Sequence, residues 1–461
     1  MDSVSFRVHS FCKKMNFYQK YSELNSRLCA GQRLYCRKDS SELAITSSPG
    51  SDTRPLHYPR IGIYTGKGSS HSWLWFVELF ERSGFHELSF LDEQDVQNGL
   101  EHLDVLAISG GDTFSMASAL KAQGAKNIKK FVAGGGLYLG SCAGAYLPLC
   151  SSKEPLHLFN FVPAKITNLS KNLPQTSRMA HKAYACYGCQ YLFHPVREEV
   201  ALQLAGEAPF CSSSTLLAPL YGGPGLIPSD SVQTLAHYSG FTEKTLYLVD
   251  PDLARRTLID QAAAVRCQLG QGCFYLFGPH LEHPYFPEAN RLILDSIYWE
   301  SFAYQSASTF KPIEILKGQH KAELLKTLKR ELSNSRIVAT GLELMPIYWM
   351  IGNKAYEPLK IRVFLEPMWK RLNILEKSYS LKIRPGTAHK MSTSATQGTQ
   401  LLRELKKDID QGLETTTLAA KCFKNLQELA TNFFASYFQT ISLKPALNHN
   451  PELRYRIAPA S

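Results

Sequence analysis

The sequence predicts an α/β fold: a mostly parallel sheet with helices on both faces, plus a C-terminal helical module. Three observations carry this. Between residues 60 and 140, short apolar runs alternate with stretches of helical spacing, the pattern of a parallel sheet covered on both faces. Glycine-rich turns follow the first, third and fourth of these runs, so they gather at the sheet edge where open α/β sheets place their ligands. Beyond residue 310, long stretches carry apolar residues three and four apart.

The elements justify themselves in order. Residues 1–57 show no sustained periodicity and contain a Ser-, Pro- and Gly-rich linker at 46–55. They read as a basic, poorly ordered N-terminal extension with one short helix near 11–28. Residues 58–306 form the α/β domain. Its first strand is Ile61-Gly62-Ile63-Tyr64, followed by a helix over 73–83. Strands at 88–91 and 103–109 come next, then a helix over 114–132 with a break near Gly124. Three glycines, Gly134 to Gly136, lead into a fourth strand at 137–139. The stretch 150–235 is less regular. A strand is expected at 241–249, a paired couple at 262–268 and 272–278, and a closing helix at 288–302. Residues 311–461 form a basic, mainly helical domain, with helices expected at 316–332, 368–375, 401–413 and 418–443 and a flexible break at 392–399. Leu418, Cys422, Leu426, Leu429, Phe433 and Phe434 lie on one stripe, read as core.

Composition bounds the function. The net charge of +11 is uneven: residues 1–57 carry 9 Lys and Arg against 5 Asp and Glu, residues 58–310 carry 18 against 22, and residues 311–461 carry 24 against 13. The basic character belongs to the two ends. A basic C-terminal domain can meet an acidic protein or nucleic acid, with Lys326, Lys329 and Arg330 as its test residues; a solvated charged face is the plainer reading. The 11 cysteines are an odd number without the spacing of a disulfide scaffold, which fits a reducing compartment. No apolar run reaches membrane-spanning length, and the first 40 residues lack a secretory core. Cytoplasm is expected, with no membrane association.

The chemistry centres on Gly140-Ser141-Cys142-Ala143-Gly144, between the fourth strand and the small residues that open a helix. Strand, sharp turn and helix make a nucleophile elbow, whose apex residue holds a strained backbone while flanking glycines leave room. The apex is Cys142. At a helix start, backbone N–H groups and the dipole favour the thiolate. The same stretch also fits a buried structural cysteine, so its partners decide. A cysteine nucleophile needs a base and a group to orient it. His280 follows the strand at 272–278, and Glu282 stands two places on, on the same side of an extended chain. His283 is the competing base. Oxyanion stabilisation is expected from the N–H of Ala143 and from the Gly110-Gly111 turn, at about 3–4 kcal/mol per donor.

This set resembles the class I glutamine amidotransferases, with their flavodoxin-like fold and Cys-His-Glu triad. More narrowly it is similar to the amidotransferase-like domain at the N-terminus of eukaryotic biotin-protein ligases. The resemblance covers about residues 58–305. It rests on Tyr64-Thr65-Gly66, Ser109-Gly110-Gly111-Asp112, Gly140-Ser141-Cys142-Ala143-Gly144-Ala145-Tyr146, Tyr221-Gly222-Gly223-Pro224-Gly225 and Gly278-Pro279-His280-Leu281-Glu282. It implies Cys142 as nucleophile, His280 as base and Glu282 as its orienter. It implies an amide, glutamine-like substrate held through a thioester. Tyr64, Asp112, Tyr146, Gly222 and Gly223 are expected as substrate contacts, and Lys67, in the Gly66–Ser70 turn that lines the site, is expected to meet a substrate carboxylate. Two features depart from the family: Ala143 stands where a longer side chain is usual, and residues 311–461 hold neither a synthetase domain nor a Gly-Arg-Gly-Arg biotinyl-adenylate loop. A non-catalytic metabolite-binding protein is the alternative.

No cofactor is expected. Cys186-x-x-Cys189, with His181 and His194 nearby, is half of a zinc pattern without its second pair, so no metal is assigned.

Overall fold

The structure is a computed structural model that describes residues 59–167, 195–206, 215–300, 313–352 and 354–441. The expected N-terminal extension with its short helix, and the Cys186–Cys189 pattern, lie outside the described residues.

The first half alternates as the sequence requires: β1 (Ile61–Tyr64), α1 (Trp73–Arg82), β2 (Leu88–Leu91), α2 (Glu93–Asn98), β3 (Val105–Ile108), α3 (Thr113–Ala133) and β4 (Leu137–Ser141). Every residue of β1, β3 and β4 is buried, as expected of strands covered on both faces. Side-chain caps start the helices. Asp92 and Asp95 form a capping box on α2, and Asp112 accepts from the N–H groups of Phe114 and Ser115 at the start of α3. The backbone of α3 leaves helical geometry at Lys121, three residues before the expected break at Gly124.

A single turn, α4 (Ala143–Tyr146), follows β4. Then come β5 (Ala164–Ile166), β6 (Val196–Leu204), β7 (Thr215–Leu220), β8 (Leu226–Pro228), β9 (Gln233–Phe241), β10 (Leu246–Tyr247), α5 (Pro251–Leu258), β11 (Ala262–Leu269), β12 (Gly272–Phe277) and α6 (Pro287–Trp299). The stretch that reads as irregular therefore supplies strands. The strand expected at 241–249 is broken instead. Thr242 donates its N–H to Thr245 Oγ1, and Thr245 returns its N–H to Thr242 O, so the chain turns between β9 and β10.

The main sheet runs β10-β6-β9-β11-β12-β4-β3-β1-β2. β12, β4, β3, β1 and β2 are parallel. β11, β9, β6 and β10 extend it antiparallel. This is the expected α/β architecture with helices, followed by C-terminal helices.

The C-terminal part consists of β13 (Glu314–Leu316), α7 (Gly318–Glu343), the hairpin β14 (Trp349–Ile351) and β15 (Lys354–Tyr356), α8 (Leu359–Lys377), β16 (Leu381–Ile383), α9 (Thr387–Asp410) and α10 (Thr416–Ile441). The break expected at 392–399 does not occur. Small side chains there serve close helix packing: Ala395 and Thr399 are buried in α9, and a Cβ on Gly398 would lie 2.9 Å from Asn425 Oδ1 on α10. Thr399 donates back into its own helix or across to Glu331 O, at 3.3 and 3.1 Å.

The aromatic stripe of α10 is core. Phe434 stands 5.9 Å from Trp73 of α1 and 6.1 Å from Phe90 of β2, and one apolar cluster runs from these strands into α7–α10. Arg371 of α8 reaches the same seam, bonding Glu78 and Glu81 of α1. Among the described residues, no helix is long and apolar enough to cross a membrane.

Candidate active site

Parallel pairing of β4 with β12 sets Ser141 beside Phe277. The Cys142 N–H then donates to Phe277 O at 2.9 Å, which places the elbow against the segment that begins at Gly278. The His280 N–H donates to Pro219 O of β7, also at 2.9 Å. Two strand ends thus fix Cys142 and His280 by their backbones.

Cys142 adopts φ 51° and ψ −108°, a conformation that L-residues rarely hold. The turn closes tightly under it. A Cβ on Gly144 would fall 1.9 Å from Ile108 O, so only glycine fits there. The following helix is one turn long, so its dipole contributes little; the thiol's environment comes from side chains.

His280 Nδ1 is 2.7 Å from Glu282 Oε1, and both residues are buried. Ser109 Oγ lies 2.8 Å from Glu282 Oε1 and 2.8 Å from Ser72 Oγ. A carboxylate only accepts, so Ser109 donates to Glu282 and accepts from Ser72. The other edge of the imidazole faces the Gly110 turn. A Cβ on Gly110 would stand 2.7 Å from His280 Cε1 and 3.1 Å from Nε2, so the absence of that side chain admits the ring.

Electrostatics follow from this packing. Burial alone would raise the Cys142 thiol, but the charge and hydrogen bond of His280, helped by Lys354, hold it below the ordinary thiol value. Burial alone would lower His280, but Glu282 and Cys142 push it up to about 9. The two shifts are one coupled event, a thiolate beside an imidazolium. His283 is different: burial and the neighbouring His280 push it down to about 3, and it packs 4.4 Å from Trp75. At neutral pH its ring is uncharged, packed in the wall beside His280.

Backbone hydrogen bonds tie the elbow to the turns beside it. Ser70 donates to Gly110 O, and Asp112 donates to Gly68 O. Gly144 donates to Ser109 O, and Ala145 and Tyr146 donate to Cys142 O. None of these bonds uses the N–H of Gly110, Gly111 or Ala143.

The structure brings together some expected substrate contacts and not others. Tyr146 donates to Gly222 O at 3.2 Å, and Gly223 packs on Gly278, so these residues share the His280 side of the site. Asp112 caps α3 directly after the Gly110-Gly111 turn. Tyr64 and Lys67 are not placed as contacts. Tyr64 is fully buried and spends its hydroxyl on Lys67 O, whereas the Lys67 side chain is exposed and its N–H goes to Glu93.

Several residues enter that the sequence did not indicate. Trp75 and Tyr221 stand 5.1 and 5.8 Å from the His280 ring. Arg197 lies 5.8 Å over Tyr221. Lys354 arrives on the β14–β15 hairpin. Its local signal was present, since Gly352-Asn353 between short apolar runs is a hairpin turn, but its destination was not. Lys326, Lys329 and Arg330 line a separate groove of about 750 Å³ on α7 and α8, far from this chemistry in the fold. Among the described residues, no three His, Cys, Asp or Glu side chains gather to hold a metal.

Comparison with known proteins adds the following. A glutamine amidotransferase from Thermotoga maritima is 11% identical, with 69% of this chain and 95% of that chain covered at TM-score 0.31. A β-galactosidase from Rahnella sp. R3 is 10% identical, with 52% and 31% covered at TM-score 0.31. A cytoplasmic protein from Salmonella typhimurium LT2 is 13% identical, with 52% and 96% covered at TM-score 0.29. No curated protein matches the chain. One family model does: residues 91–154, which hold the Gly110-Gly111 turn, β4 and the Cys142 elbow, match "Biotin-protein ligase, N terminal", and that amidotransferase-like domain is the family this chain resembles.

Proposed function

We propose that the protein is an amidase or amidotransferase-like enzyme that opens an amide through a thioester on Cys142. The observation that carries this is the Cys142–His280–Glu282 arrangement, with the cysteine in a strained elbow and the histidine ring between thiol and carboxylate.

The Cys142 sulfur attacks the amide carbonyl carbon. The carbonyl oxygen takes the electron pair and is met by the N–H of Ala143 and of the Gly110-Gly111 turn. When the C–N bond breaks, protonated His280 gives its proton to the departing amine, leaving an acyl-thioester. Water then attacks the thioester carbon, His280 takes the water's proton, and the acid leaves as the thiolate re-forms. Glu282 holds the ring orientation throughout.

The test is labelling with an electrophilic glutamine analogue, read by intact mass in wild type, Cys142→Ser and His280→Ala. One adduct on Cys142 that slows at least tenfold without His280 supports the reading. Equal labelling of several cysteines, independent of His280, overturns it.

The competing reading, a non-catalytic protein whose residues 311–461 dock an acidic protein or nucleic acid, has the groove on α7 and α8 in its favour. Two of its cations are already engaged: Lys329 pairs with Glu376 at 2.9 Å and Arg330 with Glu331 at 2.8 Å. That engagement is why the amidase reading is preferred.

A further inference from the structure

We infer that Lys354, carried on the β14–β15 hairpin, is an anion-binding residue of the Cys142 site, and that the amide substrate carries a carboxylate near the bond that opens. This rests on the amidase reading and adds to it the charge of the substrate and the residue that reads it.

The hairpin is fixed at its base and its tip. Trp349 Nε1 donates to Thr415 Oγ1 at 2.9 Å, and the Tyr356 ring stands 4.6 Å from Phe423 of α10. At the turn, a Cβ on Gly352 would lie 3.2 Å from Asp112 Oδ2, so the tip rests on the residue that follows the Gly110-Gly111 turn. α10 is itself tied to the site. Gln427 donates to Thr65 O at 2.7 Å and to Ser69 Oγ at 3.0 Å, and accepts from Trp73 Nε1 at 3.0 Å. The C-terminal helices therefore hold Lys354 over the sheet edge where Cys142 sits.

Among the described residues the ammonium has no hydrogen-bond or ion-pair partner. Lys354 is half-buried. The opposite charges that act on it are Cys142 and Asp112; Lys360 and Arg197 repel it. Burial and Lys360 bring it down to about 8, so it still carries its proton at pH 7. Lys360 differs, because it donates to Ala355 O at 2.8 Å and lies 3.9 Å from Glu357. A partly desolvated ammonium with no acceptor is unfavourable until an anion arrives. That anion would lie near the Cys142–His280 pair, because the hairpin tip rests on Asp112, two residues after the Gly110 that faces the His280 ring.

Asp112 stands at the hairpin tip. The anion that meets Lys354 therefore shares the site with a carboxyl group, and a single carboxylate is the smallest anion that satisfies the ammonium.

The experiment compares alkylation of Cys142 in the full-length chain by iodoacetate, which is a carboxylate, and by iodoacetamide, its neutral counterpart. The ratio of the two rates at Cys142, read by peptide mass, cancels the fraction of thiolate. The ratio for glutathione in the same buffer is the reference. The expected result is a ratio about tenfold above glutathione in wild type, retained in Lys354→Arg and lowered at least threefold in Lys354→Gln, the remainder belonging to protonated His280. Rapid alkylation by both reagents with one ratio across all three proteins overturns the role of Lys354 and leaves the nucleophile standing. Alkylation of Cys142 no faster than glutathione by either reagent overturns both readings.

Discussion

Ser109 and Glu282 stand 2.8 Å apart, oxygen to oxygen, at the ends of two different segments of the site. The Ser109 hydroxyl is the donor, and the second Glu282 oxygen is buried and accepts no hydrogen bond from the described residues. Ser109 and His280 therefore divide the restraint on this carboxylate between them. Ser109→Ala removes a hydrogen bond to a charged group, of the order of 1.5–3 kcal/mol. We expect Cys142 alkylation by iodoacetamide at pH 7 to slow about tenfold and the melting temperature to fall by several degrees. An unaltered rate in Ser109→Ala would show that Glu282 is positioned without it.

The coupled thiol and imidazole set the pH profile. Cys142 lies below its ordinary value because His280 opposes the effect of burial, and His280 is pushed up to about 9. Alkylation should therefore begin at lower pH than for a free thiol and change again near pH 9, when His280 loses its proton. In His280→Asn, only Lys354 is left to oppose burial, so the rise should move up to the ordinary thiol range or beyond. The sign for stability differs. His280, raised when folded, contributes stability that is full below about pH 6.5 and is lost as pH rises through about 9. Cys142, lowered when folded, contributes stability present above its unfolded value and lost as pH falls through its folded one. The two contributions run in opposite directions with pH, so removing the thiol should expose that of His280: urea stability should fall more steeply between about pH 6.5 and 9 in Cys142→Ser than in wild type. A slope in Cys142→Ser no steeper than in wild type would contradict the coupled pair.

The reach of the sequence follows from distance along the chain. The elbow is legible because Gly140, Cys142 and Gly144 are neighbours, and the clash that enforces Gly144 is with the adjacent strand. His280 and Glu282 are legible because β12 ends just before them. β6 and β7 are not. Glu198 and Glu199 interrupt one and Pro219 the other, and their strand state is imposed by pairing. Lys67 is less legible, because spacing does not say which way a loop folds: its N–H goes to Glu93 and its side chain is exposed. Lys354 is the clearest case. Its hairpin is written locally, but its place over Asp112 depends on α10 packing on Phe90 and Trp73. The apolar stripe of α10 shows that this face is buried and not what buries it.

Gly110 separates packing from chemistry. A methyl group there would meet His280 Cε1 at 2.7 Å and Ser72 Oγ at 2.9 Å, both side-chain atoms that can shift. Gly110→Ala should therefore fold, at a cost of about 1–3 kcal/mol for overpacking. The ring would be moved from the thiol, so labelling of Cys142 should fall at least a hundredfold and lose its low-pH reactivity. Gly144→Ala is the contrast, since its methyl meets Ile108 O at 1.9 Å and backbone cannot yield as a side chain does. It should yield little folded protein. A Gly110→Ala protein that labels like wild type would mean His280 is not held by this turn.

The C-terminal helices matter to the site through one seam. Arg371 is buried on α8 and bonds Glu78 and Glu81 of α1, with its guanidinium 5.3 Å over Phe434. Burial would raise Glu78, but Arg371 holds it below its ordinary value. Arg371 is buried but Glu78 and Glu81 are half-buried, so removing the guanidinium should cost less than the ~3–5 kcal/mol of a fully buried pair. Because α1 begins beside Ser72, and α10 holds both Trp73 and the base of the hairpin, loosening this seam should reach Lys354 as well as the fold. Arg371→Met should lower the urea midpoint, and at urea concentrations where the protein stays folded it should reduce the iodoacetate preference of Cys142 while leaving His280-dependent labelling in place. If instead the midpoint falls and the preference is untouched, the hairpin is seated by Gln427 and Thr415 alone, and Gln427→Ala becomes the variant that should release it.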